Sequence, residues 1–274
     1  MIAVVLPTKD EALRLRGCVE SVEGIGRTYV VDTGSTDGTR QIAHACADEV
    51  WVAPYRHSAS LKNRVLDALP RDTQWVLFVD ADEEVPPTLS REIRHAVESA
   101  TPEVAGFVLR RRNFVAARAV RGGGWWPDPN VRLVRYGRAR FEGRAVHAEL
   151  EVDGELRVLD TPILHHARDS FDDHFRHVVA YALLEAEELR SSGGGPRRLP
   201  LRSVPRVLRP PLRLVWRFIP CRPLARIFWD FVVRSGWRDG WMGWNLAVME
   251  GAYQAYAEAV LALSSPEGGG RESV

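Results

Sequence analysis

The chain is expected to fold as an α/β protein, a mostly parallel sheet flanked by helices with a helical appendage at its carboxyl end. Three observations predict this. Over the first 80 residues, apolar β-branched runs alternate with stretches of helical character. Each of those runs breaks into acidic or hydroxyl residues. A Ser/Gly/Pro stretch at residues 191–196 then separates a remainder rich in arginine and tryptophan.

The first strand spans Ile2 to Leu6 and runs into Pro7-Thr8-Lys9-Asp10-Glu11. The second, Tyr29-Val30-Val31, opens into Asp32-Thr33-Gly34-Ser35-Thr36-Asp37-Gly38-Thr39. The third, Trp75-Val76-Leu77-Phe78-Val79, ends in Asp80-Ala81-Asp82-Glu83-Glu84. Helices are expected near residues 11–22, 38–47 and 58–69. In open α/β sheets, ligands sit beyond the carboxyl ends of the strands. Asp10, Asp32, Asp80 and Asp82 are therefore expected to converge on one crevice. If the third strand continues past Asp80, Asp80 and Asp82 share a face. Two hard oxygen ligands together suit Mg²⁺ or Mn²⁺. The plainer alternative is an acidic loop capping the next helix.

Further along, residues 104–114 read as a strand running into Arg110-Arg111-Arg112-Asn113. Gly122-Gly123-Gly124 provides backbone able to approach a ligand closely. Trp125 and Trp126 add flat apolar surface, of the kind that stacks on a ligand's ring face, or a plug over the core. Residues 131–134 and 156–164 look like strands. An amphipathic helix opens at Ser170, which can cap it, with Asp172 and Asp173 at its positive end. Phe171, Phe175, Val178, Ala182 and Leu189 form its apolar stripe. The expected division is a catalytic domain over 1–190, a linker over 191–196, a helical region over 197–263 and a disordered tail over 264–274.

The formal net charge of the 274 residues is only +1, so no global electrostatic partner is implied. Cys18, Cys46 and Cys221 lack metal or redox spacing. The amino terminus reads as a strand, not a signal peptide, which points to the cytoplasm. Charge is uneven, however. Residues 197–239 hold eleven arginines against Asp230 and Asp239, and Trp216, Trp229, Trp237, Trp241 and Trp244 cluster in the same part of the chain. Arg202, Arg206, Arg209, Arg213 and Arg217 recur at helical steps. Pro205, Pro210, Pro211, Pro220 and Pro223 break that region into short pieces. A basic face beside apolar and aromatic residues suits peripheral contact with an anionic membrane. A solvated arginine face is the simpler alternative. Nucleic acid is disfavoured by the acidic crevice.

The segments V-V-L-P-T-K-D-E, V-V-D-T-G-S-T-D-G-T and V-D-A-D-E-E, in that order, resemble the nucleotide-binding half of glycosyltransferase family 2, inverting enzymes of GT-A fold. Arg112-Asn113-Phe114, Gly123-Gly124-Trp125-Trp126-Pro127-Asp128, Arg132-Leu133-Val134-Arg135 and Val146-His147 resemble a bacterial branch with lipopolysaccharide core β-glucosyltransferases. The resemblance implies a nucleotide-sugar donor, UDP-hexose foremost, a Mn²⁺ or Mg²⁺ cofactor and a lipid-linked envelope glycan as acceptor. It implies Asp82 as the primary metal ligand, with His165 completing the site. Asp80 would contact the ribose or a metal-bound water. Asp32 would bind uracil or ribose, in a pocket lined by Thr8, Asp10 and Glu11. Lys62 would lie near the diphosphate, or else on a solvated helix face. Gly124, Trp125, Trp126, Arg132 and His147 would meet the acceptor. Asp128 is the first choice for the general base and Glu149 the rival. Val146-His147-Ala148-Glu149 departs from the branch's Val-His-Glu, which weakens Glu149. A protein, peptide or soluble acceptor is an alternative, as is a non-catalytic sugar-nucleotide-binding protein.

Overall fold

The computed structural model describes residues 1–54, 58–142, 150–191, 219 and 221–263. In chain order the elements are β1 (Ile2–Thr8), α1 (Leu15–Ser21), β2 (Arg27–Asp32), α2 (Thr39–Cys46), β3 (Glu49–Val52), α3 (Ser58–Ala68), β4 (Trp75–Phe78), β5 (Glu83–Glu84) and α4 (Pro87–Glu98). They continue with β6 (Val104–Val115), β7 (Arg118–Ala119), β8 (Asp128–Arg135), β9 (Ala139–Phe141), β10 (Leu150–Val152), β11 (Glu155–Val158), β12 (Ile163–Arg168) and α5 (Phe171–Ser191). The last are α6 (Arg222–Phe228), a π-helical turn (Trp229–Val233), a 3₁₀ turn (Gly236–Asp239) and α7 (Gly240–Leu263).

The chain forms two compact units. The first comprises residues 1–117 and 127–167. Its sheet runs β3-β2-β1-β4-β8-β6-β12-β5. β1, β2, β3 and β4 are parallel, whereas β8 is antiparallel to both β4 and β6. Alternation along the strands explains the layering. Val4, Leu6, Val30 and Leu77 face α1, α2 and α4, burying Leu15, Val19, Ala43, Leu89 and Ile93. Ala3, Val5, Tyr29, Val31 and Phe78 face the other way, onto Leu61, Val65 and Leu66 of α3. This mixed sheet, covered on both faces and parallel in its first half, is the α/β architecture expected.

Two expected elements differ. The helix near 11–22 begins only at Leu15. Thr39 Oγ1 takes the amide of Glu11 and Asp37 that of Ala12, so residues 11–12 serve a loop. The strand expected over 156–164 splits into β11 and β12. Both oxygens of Glu92 draw the amides of Asp160 and Thr161 away from any ladder, at 2.7 and 3.0 Å.

The second unit comprises residues 118–126 and 168–274. α5 belongs to it, although residues 170–190 were expected with the catalytic domain, because Val178 and Ala182 bury against Tyr253 of α7. Ser170 Oγ caps α5 by accepting from the amide of Asp173 at 3.1 Å. The buried line along α5 steps by four, through His174, Val178 and Ala182, so Phe175 lies 53% exposed instead of joining the stripe. The expected linker and the arginine face over 202–217 lie outside the described residues.

Candidate active site

β1, β2 and β4 are parallel neighbours, so the residues that follow them leave the same edge of the sheet. The loops after β1 and β2 are stitched together there. Asp10, at φ +53°, accepts from the amide of Thr36 at 2.7 Å and donates its own amide to Ser35 Oγ at 2.9 Å. Thr8 accepts from Thr33 through its carbonyl, while its buried hydroxyl has no protein partner. Glu11 is held by Thr39 at its amide and by Arg14 at its carboxylate.

Asp32 was expected to bind uracil or ribose, and in the structure its side chain is held by the protein itself. Its carboxylate is fully buried, receives the amides of Gly34 and Ser35, and pairs with Arg40 at 2.8 Å. Burial works to raise this carboxyl, but the hydrogen bonds from Ser35 and Arg40 prevail and hold it below the ordinary range. A depressed carboxyl stabilises the fold above its unfolded value, and that contribution fades as the pH falls through the folded one. Asp32→Asn should therefore cost stability at pH 7, and the gap to wild type should begin to narrow only below about pH 4 and close as the pH falls through the lower folded value. Urea unfolding at both pH values checks this.

The Asp80–Asp82 pair also departs from expectation. β4 ends at Phe78, and residues 80–83 form a turn in which Glu83 donates its amide to the Asp80 carbonyl at 2.9 Å. Glu83 Oε2 in turn accepts from the Asp80 amide at 2.9 Å. The two aspartates thus serve different partners and do not share one strand face. Asp80 pairs with Arg132 at 2.6 Å and lies 3.8 Å from Lys62. Burial would raise its carboxyl, yet Arg132 and Lys62 hold it far below the usual carboxylate range. Arg132 also reaches Glu83 Oε1 at 2.5 Å, so it is a buried bridge between two acids and not an open acceptor contact. Lys62 is not on a solvated face either. It points inward over Phe78 and Phe141, and burial lowers its pKa against the pull of Asp80.

A second series of contacts reaches Asp82. Arg111 lies 3.8 Å from Glu83 and binds Asp128 Oδ2 at 2.5 Å. Asn130 donates to Asp128 Oδ1 at 3.1 Å. Asn113 donates weakly to Asp128 at 3.5 Å through Nδ2, and its Oδ1 meets His165 Nδ1 at 2.5 Å. The carbonyl of Asn113 can only accept, so Nδ1 of His165 carries the proton. In the neutral ring, Nε2 then presents a lone pair to Asp82 Oδ2, 3.3 Å away. Two acceptors facing each other at that distance call for a positive charge, on the ring or between them. A carboxylate oxygen and an imidazole nitrogen are ordinary ligands for Mn²⁺ and tolerable for Mg²⁺. The donor set of Asp82 and His165 therefore fits a divalent cation. Among the described residues no cluster of three or more His, Cys, Asp or Glu forms, so Asp80 does not complete a three-ligand cage.

The loop of Gly122, Gly123 and Gly124 belongs to the second unit, where its close approach is to its own chain. Asp239 accepts from the amides of Arg121 and Gly122, and Gly123 donates to the Arg234 carbonyl at 2.9 Å. A Cβ on Gly124, at φ +84°, would lie 1.5 Å from Arg234 Nη2. On Gly122 it would meet the Ser235 carbonyl oxygen at 2.0 Å. Backbone cannot step aside as a side chain can. Gly122→Ala should cost about 3 kcal/mol as overpacking, more than the about 1–2 kcal/mol of strain at Gly124→Ala. Thermal unfolding of the two variants checks the order. Trp125 sets its ring edge on His174 at 5.5 Å, and Trp126 is half-buried. His147 and Glu149 lie outside the described residues.

Sequence reading missed Glu83, Arg111 and Asn113 as site residues. A signal existed for two of them, since Arg111 and Asn113 stand two apart in a strand and so share a face. Glu83 was hidden inside a run of acids.

A model of the glycosyl transferase family 2 domain matches residues 3–142. The chain belongs to this family. As a family 2 glycosyltransferase it is an enzyme, and its matched region contains β1 to β8 with Asp32, Lys62, Asp80, Asp82, Asp128 and Arg132. The lipopolysaccharide core biosynthesis glycosyltransferase LpsC of Rhizobium meliloti is 28% identical over 263 residues, covering 91% of this chain and 87% of that protein. An uncharacterized glycosyltransferase of Rickettsia prowazekii is 34% identical over 99 residues, 36% of this chain and 33% of its own length. Glucosyl-3-phosphoglycerate synthase from Mycobacterium tuberculosis, solved with Mn²⁺, UDP and glucosyl-3-phosphoglycerate, overlaps 42% of this chain and 44% of its own at TM-score 0.35 and 20% identity. Both of the last two relatives are thus matched over less than half their length.

Proposed function

We propose that this family 2 glycosyltransferase moves a hexose, with inversion, from a nucleotide diphosphate sugar to the lipopolysaccharide core or a related envelope glycan. UDP-hexose is the foremost donor. The observation that carries the metal-dependent reading is His165 Nε2 set 3.3 Å from Asp82 Oδ2, with the other ring nitrogen held by Asn113 Oδ1. Asp82 and His165 would hold Mn²⁺ or Mg²⁺. Such a cation, when bound, neutralises negative charge gathering on the departing diphosphate. Support for the acceptor class comes from the likeness to LpsC along nearly the whole chain.

The chain's own residues have separable tasks in this reading. Asn113 fixes the His165 tautomer, so that Nε2 and not Nδ1 faces the donor site. Arg132 and Glu83 brace the turn that presents Asp82. Lys62 adds a cation at the diphosphate end, close to Asp80. The Asp10–Thr36 stitch and the Asp32–Arg40 pair shape the nucleotide pocket, where the Thr8 hydroxyl is free to meet a donor. Asp128 takes the acceptor proton once one of its oxygens is released by Arg111 or Asn130. The donor class puts the reaction in the cytoplasm, at the inner face of the membrane.

The test is transfer and slow hydrolysis of UDP-hexoses with and without Mn²⁺, in wild type and two base variants. A general base contributes about 10²–10⁴-fold, so Asp128→Asn should lower kcat by that factor with donor KM nearly unchanged. Glu149→Gln should lose far less. The opposite pattern would move the base to Glu149. Absence of any metal-stimulated turnover would remove the reading altogether.

A further inference from the structure

Beside its apolar core the second unit buries a set of paired charges, and it leaves large apolar side chains exposed. Arg226 and Asp230 are buried at 8% and 1% exposure and pair with each other. Arg226 also reaches Glu250 of α7 at 2.6 Å, and Arg234 reaches Asp230 at 3.0 Å. The opposite side of the same helical segment carries Leu224, Phe228 and Val232, spaced by four, at 62%, 59% and 46% exposure. Val233 and Trp237 follow at 50% and 59%, and Trp241 at the start of α7 is 76% exposed. The ring of Phe231 meets Trp244 edge-on at 5.3 Å, joining the π-helical turn to α7. A surface evolved for water would show the reverse, because buried charges lose hydration and exposed apolar side chains gain nothing. The buried charges are tolerated because they pair with one another, and contact with acyl chains accounts for the exposed apolar side.

Charge identifies the kind of surface. Arg238 is exposed beside Trp237. Residues 197–218, which lead into this segment, include seven arginines and no acid. Apolar side chains with an exposed cation among them, in a stretch of chain whose sequence is this rich in arginine, suit anionic headgroups over hydrocarbon. Among the described residues no helix is long and apolar enough to cross a membrane, so contact would be along the surface. We propose that Leu224, Phe228, Val232, Trp237 and Trp241 form the face on which this enzyme lies in the headgroup region of an anionic bilayer. The inference deepens the reading of the acceptor as lipid-borne and rests on it.

The experiment mixes the full chain with vesicles of phosphatidylcholine, alone or with phosphatidylglycerol, and with lipids brominated on their acyl chains. Wild type should sediment with the anionic vesicles, less so at high salt, and its tryptophan emission should be quenched by the bromines. Leu224→Ser/Phe228→Ser/Trp241→Ser should bind at least about tenfold more weakly. It should keep its UDP-hexose hydrolysis in vesicle-free buffer. Trp241→Gln alone, a milder change, should weaken binding in the same direction and lose most of the quenching added by that side chain. Equal binding by wild type and both variants overturns the proposal. So does wild type that ignores every vesicle, or a wild-type dimer that the triple variant makes monomeric, which would assign the face to a second copy. Vesicle binding with no transfer from UDP-hexose to added lipopolysaccharide core would sink the acceptor reading alone; transfer to that glycan without vesicle binding would sink this face alone.

Discussion

Asp82→Ala is expected to reduce metal-dependent glycosyl transfer by about 10³-fold, the scale of losing one electrostatic contact to a leaving group. Asp82 is the one carboxylate of the β4 turn not claimed by a guanidinium in the contacts described above. Asp80 has Arg132 at 2.6 Å and Glu83 has the same arginine at 2.5 Å. Among the described residues, the ion-pair contact of Asp82 is the imidazole of His165 at 3.3 Å. His165→Ala should be milder, because a water can replace one neutral ligand. Asn113→Leu should follow His165→Ala in direction, since it frees the ring to take the other tautomer. Calorimetric titration of Mn²⁺ in the presence of UDP separates the effects. Asp82→Ala should abolish the metal-dependent gain in UDP affinity, while folding and thermal unfolding stay near wild type. Unchanged turnover in Asp82→Ala would end the metal assignment.

Arg132→Met is expected to destabilise the fold by about 3–5 kcal/mol, the cost of stranding a buried charge partner. Arg132 joins Asp80 to the fully buried Glu83. Burial alone would lower its pKa, but the two carboxylates more than compensate and raise it. Without the guanidinium, two acids face each other with Arg111 and Lys62 only 3.8 Å away from one each. Burial already pushes the Glu83 carboxyl upward against the pull of Arg132, so it would then hold its proton. Arg132→Met/Glu83→Gln should recover part of the loss by removing one stranded charge. Urea unfolding measures both as shifts in midpoint at constant slope. A loss under about 1 kcal/mol in the single variant would mean that water reaches the pair and screens it, as for a surface bridge.

These two results would separate what Asp82 does in chemistry from what Arg132 does in architecture. The same division explains which parts of the site were legible in the residues. β1, β2 and β4, with the acids at their ends, follow from local composition, because a parallel strand buried on both faces must be apolar and must end where polarity returns. Ser170 as a cap and the placement of α2 and α3 are equally local. Lys62 was legible as a basic residue on a helix, but not its inward direction over Phe78 and Phe141. The antiparallel half, where β8 lies between β4 and β6, carries no comparable local mark. Arg111 and Arg132 are brought against the β4 turn, and Asp128 onto Arg111, by that pairing.

The sequence by itself determined the family, the parallel α/β half and the identity of the acids at its carboxyl edge, since these depend on residue order and on periodicities a few positions long. Only the tertiary structure decided which acid is neutralised by arginine and which is left to a cation, that the glycine loop is filled by Arg234 and Ser235, and that the C-terminal helices turn their charges inward. Each of those outcomes depends on partners far apart in the chain, from Arg226 and Glu250 to Gly122 and Asp239, 117 positions apart. Ion pairing and close packing act through space, and no local pattern records which distant side chain will arrive.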